Sequence, residues 1–218
     1  AERIIFGDLK GNLAGNNLSA RLERARDANQ QITGEISLDY LDLGWLGANT
    51  FGALTDVNDG SISKLDVTAA SFLGLNSQLK VSAKNFAAYP YGMMADMGAN
   101  IETTGGSINL TDFKANWLGG DVTGNLTLSS IEGTGVVSGG LALKNATILP
   151  STWTMIDGSA RASANYDIDL TVESSGKSFS DIITNAAGSG QLVLREAKLR
   201  GFNASAFQPI VAQADVIE

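Results

Sequence analysis

The 218-residue chain contains no cysteine and no histidine. Without cysteine there is neither a disulfide framework nor a thiol nucleophile, and without histidine the usual general base and commonest zinc ligand are gone. Most hydrolase and metalloenzyme readings fall on that ground. Basic residues are also scarce, 15 Lys and Arg against 23 Asp and Glu for a net charge of -8. No window concentrates them enough to neutralise several phosphates: the densest run, Arg21, Arg24 and Arg26, is broken by Glu23 and Asp27. Nucleic acid is therefore not an expected partner. Long apolar runs are missing too. Nothing approaches the roughly 18 consecutive apolar residues of a membrane span, and residues 1–11 lack the layout of a signal peptide. The expectation is a mature chain or an excised soluble fragment, with loss of an N-terminal anchor left open.

What the chain does have is glycine, 25 residues against 3 prolines, and clean alternation. Ile32, Gly34, Ile36 and Leu38 fall on one side of a period-two pattern, with Thr33, Glu35, Ser37 and Asp39 on the other. The same split recurs with Val122, Gly124, Leu126 and Leu128, and again with Ala164, Tyr166, Ile168, Leu170 and Val172. Period two is the signature of a half-buried strand. Asp59-Gly60, Gly105-Gly106, Gly119-Gly120, Gly139-Gly140 and Asp157-Gly158 punctuate these runs and read as hairpin turns. The expected fold is all-β and mainly antiparallel, a meander of about ten or more strands forming one extended domain over residues 1–218.

Two segments, 140–148 and 190–199, share a pattern in which the apolar phase flips after Leu143 and after Leu194. A two-residue turn or a bulge at Lys144-Asn145 and Arg195-Glu196 would account for both flips. One helix is well signalled: Ser178 as N-cap, Asp181 at the third position, and Phe179, Ile182, Ile183 and Ala186 at helical spacing before Gly188. A weaker helix is expected after Asn203, and single turns within residues 40–46 and 90–97.

Motifs that could carry chemistry are incomplete. Asp56-Val57-Asn58-Asp59-Gly60 is similar to a calcium loop, but Gly60 stands one position early and Val67 occupies the place of the bidentate Glu. Ser61 with Lys64 and Ser174 with Lys177 fit S-x-x-K without the elements that complete such a site. Asp39 with Asp42, and Asp157, Asp167 and Asp169, are the carboxylates from which a glycosidase-like pair would be drawn. Asp167 and Asp169 share the polar side of a strand, where solubilising charge belongs. A non-enzymatic protein without a cofactor is expected.

Residues 178–202 read SFSDIITNAAGSGQLVLREAKLRGF. This resembles the closing segment of the AsmA family: an S-x-x-D helix followed by two aliphatic residues, a G-S-G turn, an L-x-L strand and a glycine-aromatic step. The matching positions are Asp181, Ile182, Ile183, Gly188, Ser189, Gly190, Leu192, Leu194, Gly201, Phe202 and Asn203. Residues 29–46 resemble a second element of that family through Gly34, Ile36, Leu38, Leu41, Asp42 and Leu43. Together the two segments cover about a fifth of the 218 residues. Arg195 and Glu196 depart from the family, which commonly has Asp and Gly there, and this chain carries no N-terminal membrane helix. The resemblance implies a curled β-sheet or β-groove with one or two short helices capping an end. It further implies a periplasmic protein held to the inner membrane by a segment absent from this chain, handling phospholipid in lipid transport and outer-membrane biogenesis.

A one-sided sheet must cover its apolar face with another layer, with itself, or with a ligand. On that argument the groove candidates are Leu126, Leu128, Leu141, Leu143, Ile168, Leu170, Leu192 and Leu194, contacting phospholipid or acyl chains. The competing expectation is a structural or assembly module of the envelope that binds protein partners through a sheet edge.

Overall fold

A computed structural model describes residues 3–13, 15–26, 30–56, 58–72, 74–88, 92–147 and 162–200. They form one open sheet of ten strands whose spatial order is the chain order. The strands are β1 (Arg3–Leu13), β2 (Asn16–Ala25), β3 (Ile32–Asp42), β4 (Ser77–Ala87), β5 (Met93–Thr104), β6 (Ser107–Trp117), β7 (Gly120–Ile131), β8 (Thr134–Thr147), β9 (Ala162–Gly176) and β10 (Ala187–Leu199). Every neighbouring pair is antiparallel except β3 and β4, which run parallel from Ile32↔Ser77 to Asp42↔Ala87. The sheet is thus all-β and mainly antiparallel as expected, with this one parallel pair. A parallel pair needs a crossover, and residues 43–76 supply it. Their helix α1 (Leu43–Phe51) packs against both β3 and β7, so the sheet curls beneath it.

The β5–β6, β6–β7 and β7–β8 hairpins turn on Gly105-Gly106, Leu118-Gly119 and Glu132-Gly133, all six residues having positive φ. Two successive positive φ angles define the turn that matches strand twist. The turn expected at Gly119-Gly120 thus falls one residue earlier, and Gly120 begins β7. Gly139-Gly140 is no turn at all but the middle of β8. A Cβ on Gly139 would lie 2.5 Å from the Asn125 carbonyl oxygen, so this glycine serves close approach of two backbones.

The phase flips at Leu143 and Leu194 are bulges. The register shifts between Leu143 and Ala146 in β8 and between Arg195 and Lys198 in β10, with Asn145 and Glu196 at positive φ. β1, β5 and β6 shift in the same way at Asp8, Asp96 and Asp112. An extra residue returns the apolar side chains to one face and sharpens the twist.

Helix α2 (Phe179–Thr184) has the expected capping box, Ser178 accepting from the Asp181 amide while the Asp181 carboxylate accepts from the Ser178 amide. It ends at Asn185, so Ala186 lies beyond it. The single turn expected within residues 40–46 is instead the end of β3 and the start of α1, which Asp42 caps by accepting from the amides of Gly44 and Trp45. Met93–Thr104 is strand, which replaces the turn expected in the described part of 90–97. The helix after Asn203 and the turn at Asp157-Gly158 lie outside the described residues.

The core lies between the apolar face and its cover. Leu46 and Phe51 of α1, Val67 of the crossover and Ile182 of α2 meet Val81, Met97, Ile101, Leu110, Phe113, Val122, Leu128 and Leu143 from the sheet. Phe51 stacks on Phe179 at 6.3 Å, joining α1 to α2, and the crossover is tied to α2 by Val67 N to Lys177 O and Ser180 N to Ser63 O. Among the described residues no buried side-chain polar atom lacks a partner.

Candidate functional site: one apolar face, covered in the middle and open at a flank

Residues opposite one another in a ladder share a face, so the registers trace rows across the sheet. One row runs Ala115–Val122–Leu143–Ile168–Leu192, and a second runs Phe113–Gly124–Leu141–Leu170–Gly190. A third runs Leu110–Leu126–Gly139–Val172–Gly188. Large side chains face glycines repeatedly: Gly190 leaves room for Cδ2 of Leu170, whereas Gly124, Gly139 and Gly188 let neighbouring backbones approach closely. All eight groove candidates fall on this one face.

Cover divides them. Leu143 is 0% exposed and Leu128 4%, so both are sealed in the core. Leu126, Leu141 and Ile168 are half-buried at its margin. Leu170, Leu192 and Leu194 are exposed at 49%, 59% and 53%, and Val172 joins them. The cover follows the strands only in part: α1 reaches β7 and α2 reaches β8 and the Ser174–Gly176 end of β9, while Leu170 and Val172 lie farther along β9 and stay exposed. The residues that form an open apolar strip are therefore Leu170, Val172, Leu192 and Leu194, and sequence alternation could not separate them from Leu128 and Leu143. A smaller open area lies on the opposite flank, where Phe6 and Leu9 of β1 are exposed on the same face.

The polar face is laced with ion pairs. Arg195 donates from both terminal nitrogens to Asp167, at 2.5 and 2.6 Å, and the Asn145 amide donates to the same carboxylate at 2.8 Å. The Arg195 guanidinium, helped by that amide, holds the Asp167 carboxyl down to about 2. Lys144 pairs with Asp169 at 2.7 Å. A general acid needs a raised value, and Asp167 is shifted the other way. Asp39 pairs with Lys84 at 2.7 Å, which with Asn17 lowers its carboxyl as well, while Asp42 is occupied as the α1 cap.

The remaining motifs are structural where described. Asp56 accepts from the Asn58 amide and Asp59 from the Ser61 amide, ordinary Asx turns. Ser174 donates to the Ile182 carbonyl and so anchors α2. Among the described residues no group of three carboxylates gathers as a metal site, and no helix is long and apolar enough to cross a membrane. No family model matches the chain, and neither a curated protein nor a solved structure is significantly similar to it.

Proposed function

We propose that the chain is a non-enzymatic cell-envelope protein of AsmA type, periplasmic and anchored through a segment not in this sequence. Its apolar face receives the acyl chains of phospholipids in transport toward the outer membrane. The observation that carries the reading is the open strip of Leu170, Val172, Leu192 and Leu194, continuous with the sealed core and lined by no polar anchor. From residue 188 to residue 194 the strip runs about 20 Å at ~3.4 Å per residue. An acyl chain occupies about 15 Å of a bilayer leaflet.

Burial is worth about 0.8 kcal/mol per methylene, and a chain lying on an open strip is covered on one side. Half of that value over a 16-carbon chain is roughly 6 kcal/mol before ordering costs. A gain of this size suits reversible loading. Contacts made only by aliphatic side chains and glycine also impose no fixed stopping point, which is what movement along a surface requires.

Native mass spectrometry of gently purified protein is expected to find bound phospholipid, and delipidated protein is expected to take up a fluorescent fatty acid. Leu192→Asp with Leu194→Asp should abolish uptake while the β-sheet circular dichroism persists. Protein that carries no lipid and takes up none would overturn the reading.

A further inference from the structure

Among the described residues β1 and β10 are the outer strands, and they are protected to different degrees. An unpaired strand edge invites another strand unless charge, proline or a bulge blunts it. β1 carries Arg3, Lys10 and a bulge at Asp8 in its middle. β10 runs from Ala187 to Leu194 without a charge, a proline or a bulge, in unbroken register with β9 and exposed throughout. Its first irregularity comes only after Arg195.

We infer that this edge pairs with the same edge of a second copy, the two β10 strands running antiparallel about a two-fold axis at Gln191. In that register Leu192 lies opposite Gly190 of the second copy, and Leu194 opposite Gly188. The device is the one the sheet already uses internally, where Leu126 and Val172 flank Gly139 and Phe113 and Leu141 flank Gly124. Leu170, whose Cδ2 occupies the space above Gly190, would meet the incoming Leu192. On the polar face Gln191 meets Gln191, whose amides are mutually complementary, Val193 meets Ser189, and Arg195 meets Ala187. No charge faces a like charge. A slip of one residue would turn the second copy's leucines to the polar side, and moving the axis to residue 192 would set Leu192 against Leu192 in place of Gly190.

Two-fold pairing closes, whereas β1 against β10 of the next copy would repeat without end. Nine paired residues a side give about eight main-chain hydrogen bonds and an interface at the small end of specific ones. The dimer is therefore concentration-dependent, with a dissociation constant of roughly micromolar order. This inference does not rest on the lipid reading.

Sedimentation equilibrium of the 218-residue chain tests it. The mass should rise with concentration from 22.7 kDa to twice that value and no further. Gln191→Lys and Gln191→Glu each set like charges opposite one another and should weaken the dimer about two- to fivefold. An equimolar mixture of the two variants should restore it. Gln191 lies on the polar face, so fatty-acid uptake by either variant should equal that of the parent, which keeps the test apart from that of lipid binding. A monomer at every concentration, open-ended polymers, a dimer indifferent to both variants, or a mixture no tighter than its components would each overturn the inference.

Discussion

Leu143 and Leu192 are the same residue type on the same face and in the same row, separated only by Ile168 of β9, yet one is wholly buried and the other mostly exposed. Their strands follow the same alternation, and both strands carry a bulge. The difference comes from outside the strands. The crossover forced by the parallel β3–β4 pair lays α1 across the sheet as far as β7, and α2 extends the cover to β9. A one-sided sheet thus becomes core where a connection lies over it, and remains an apolar surface where none of the described connections does.

The contrast can be broken most sharply by truncation. Leu143→Ala opens a cavity beneath the cover and should destabilise the protein by about 3 kcal/mol in urea unfolding. Leu192→Ala, on the open strip, should move the midpoint by less than the equivalent of about 0.5 kcal/mol. Equal effects would mean that the flank is as closed as the centre. A smaller perturbation acts on the cover itself. Ser178→Ala removes the cap of α2, whose Ile182 packs against the Gly135 and Gly176 backbones and whose Phe179 stacks on Phe51. The cost should be about 1 kcal/mol, read as a fall in melting temperature of roughly 2–4 °C. Because the cap holds the cover and not the sheet, proteolysis near α2 should rise well before the strands become susceptible.

Features written in local sequence were legible before the fold was known. Period-two alternation assigned the Val122 to Leu128 and Ala164 to Val172 side chains to one face because strand geometry itself has period two. A break in phase located the bulges at Asn145 and Glu196, and Ser178 with Asp181 announced α2. What stayed hidden was non-local. The helix at Leu43–Phe51 is masked by Gly44 and Gly47, each worth about 1 kcal/mol against a helix, although Asp42 was available as its cap. The parallel β3–β4 pairing has no local signature beyond a long stretch without alternation. The partition of the eight groove candidates depends on where along the strands the connections cross, and no individual leucine carries that information. The contrast between β1 and β10 edges was legible in principle, since Arg3, Lys10 and Asp8 stand in one strand while residues 187–194 have no counterpart to them.

The smallest expected effect concerns the polar face, which holds β8, β9 and β10 together where no described residues cover the apolar face. Asp167 sits on β9 between the Asn145 amide of β8 and the Arg195 guanidinium of β10, so one carboxylate ties three strands. Its folded value of about 2 is below the ordinary 3.8. A lowered carboxyl contributes stability that is fully present above its unfolded value and is lost as pH falls toward its folded one. Stability should therefore decline between pH 3.8 and about 2 on account of this group. Arg195→Gln removes the largest cause of the shift, so the variant should start less stable at neutral pH and lose less across that window. Melting temperatures of parent and variant should converge as the solution is acidified. Parallel curves would mean that the bridge between strands contributes nothing to holding the open flank in place.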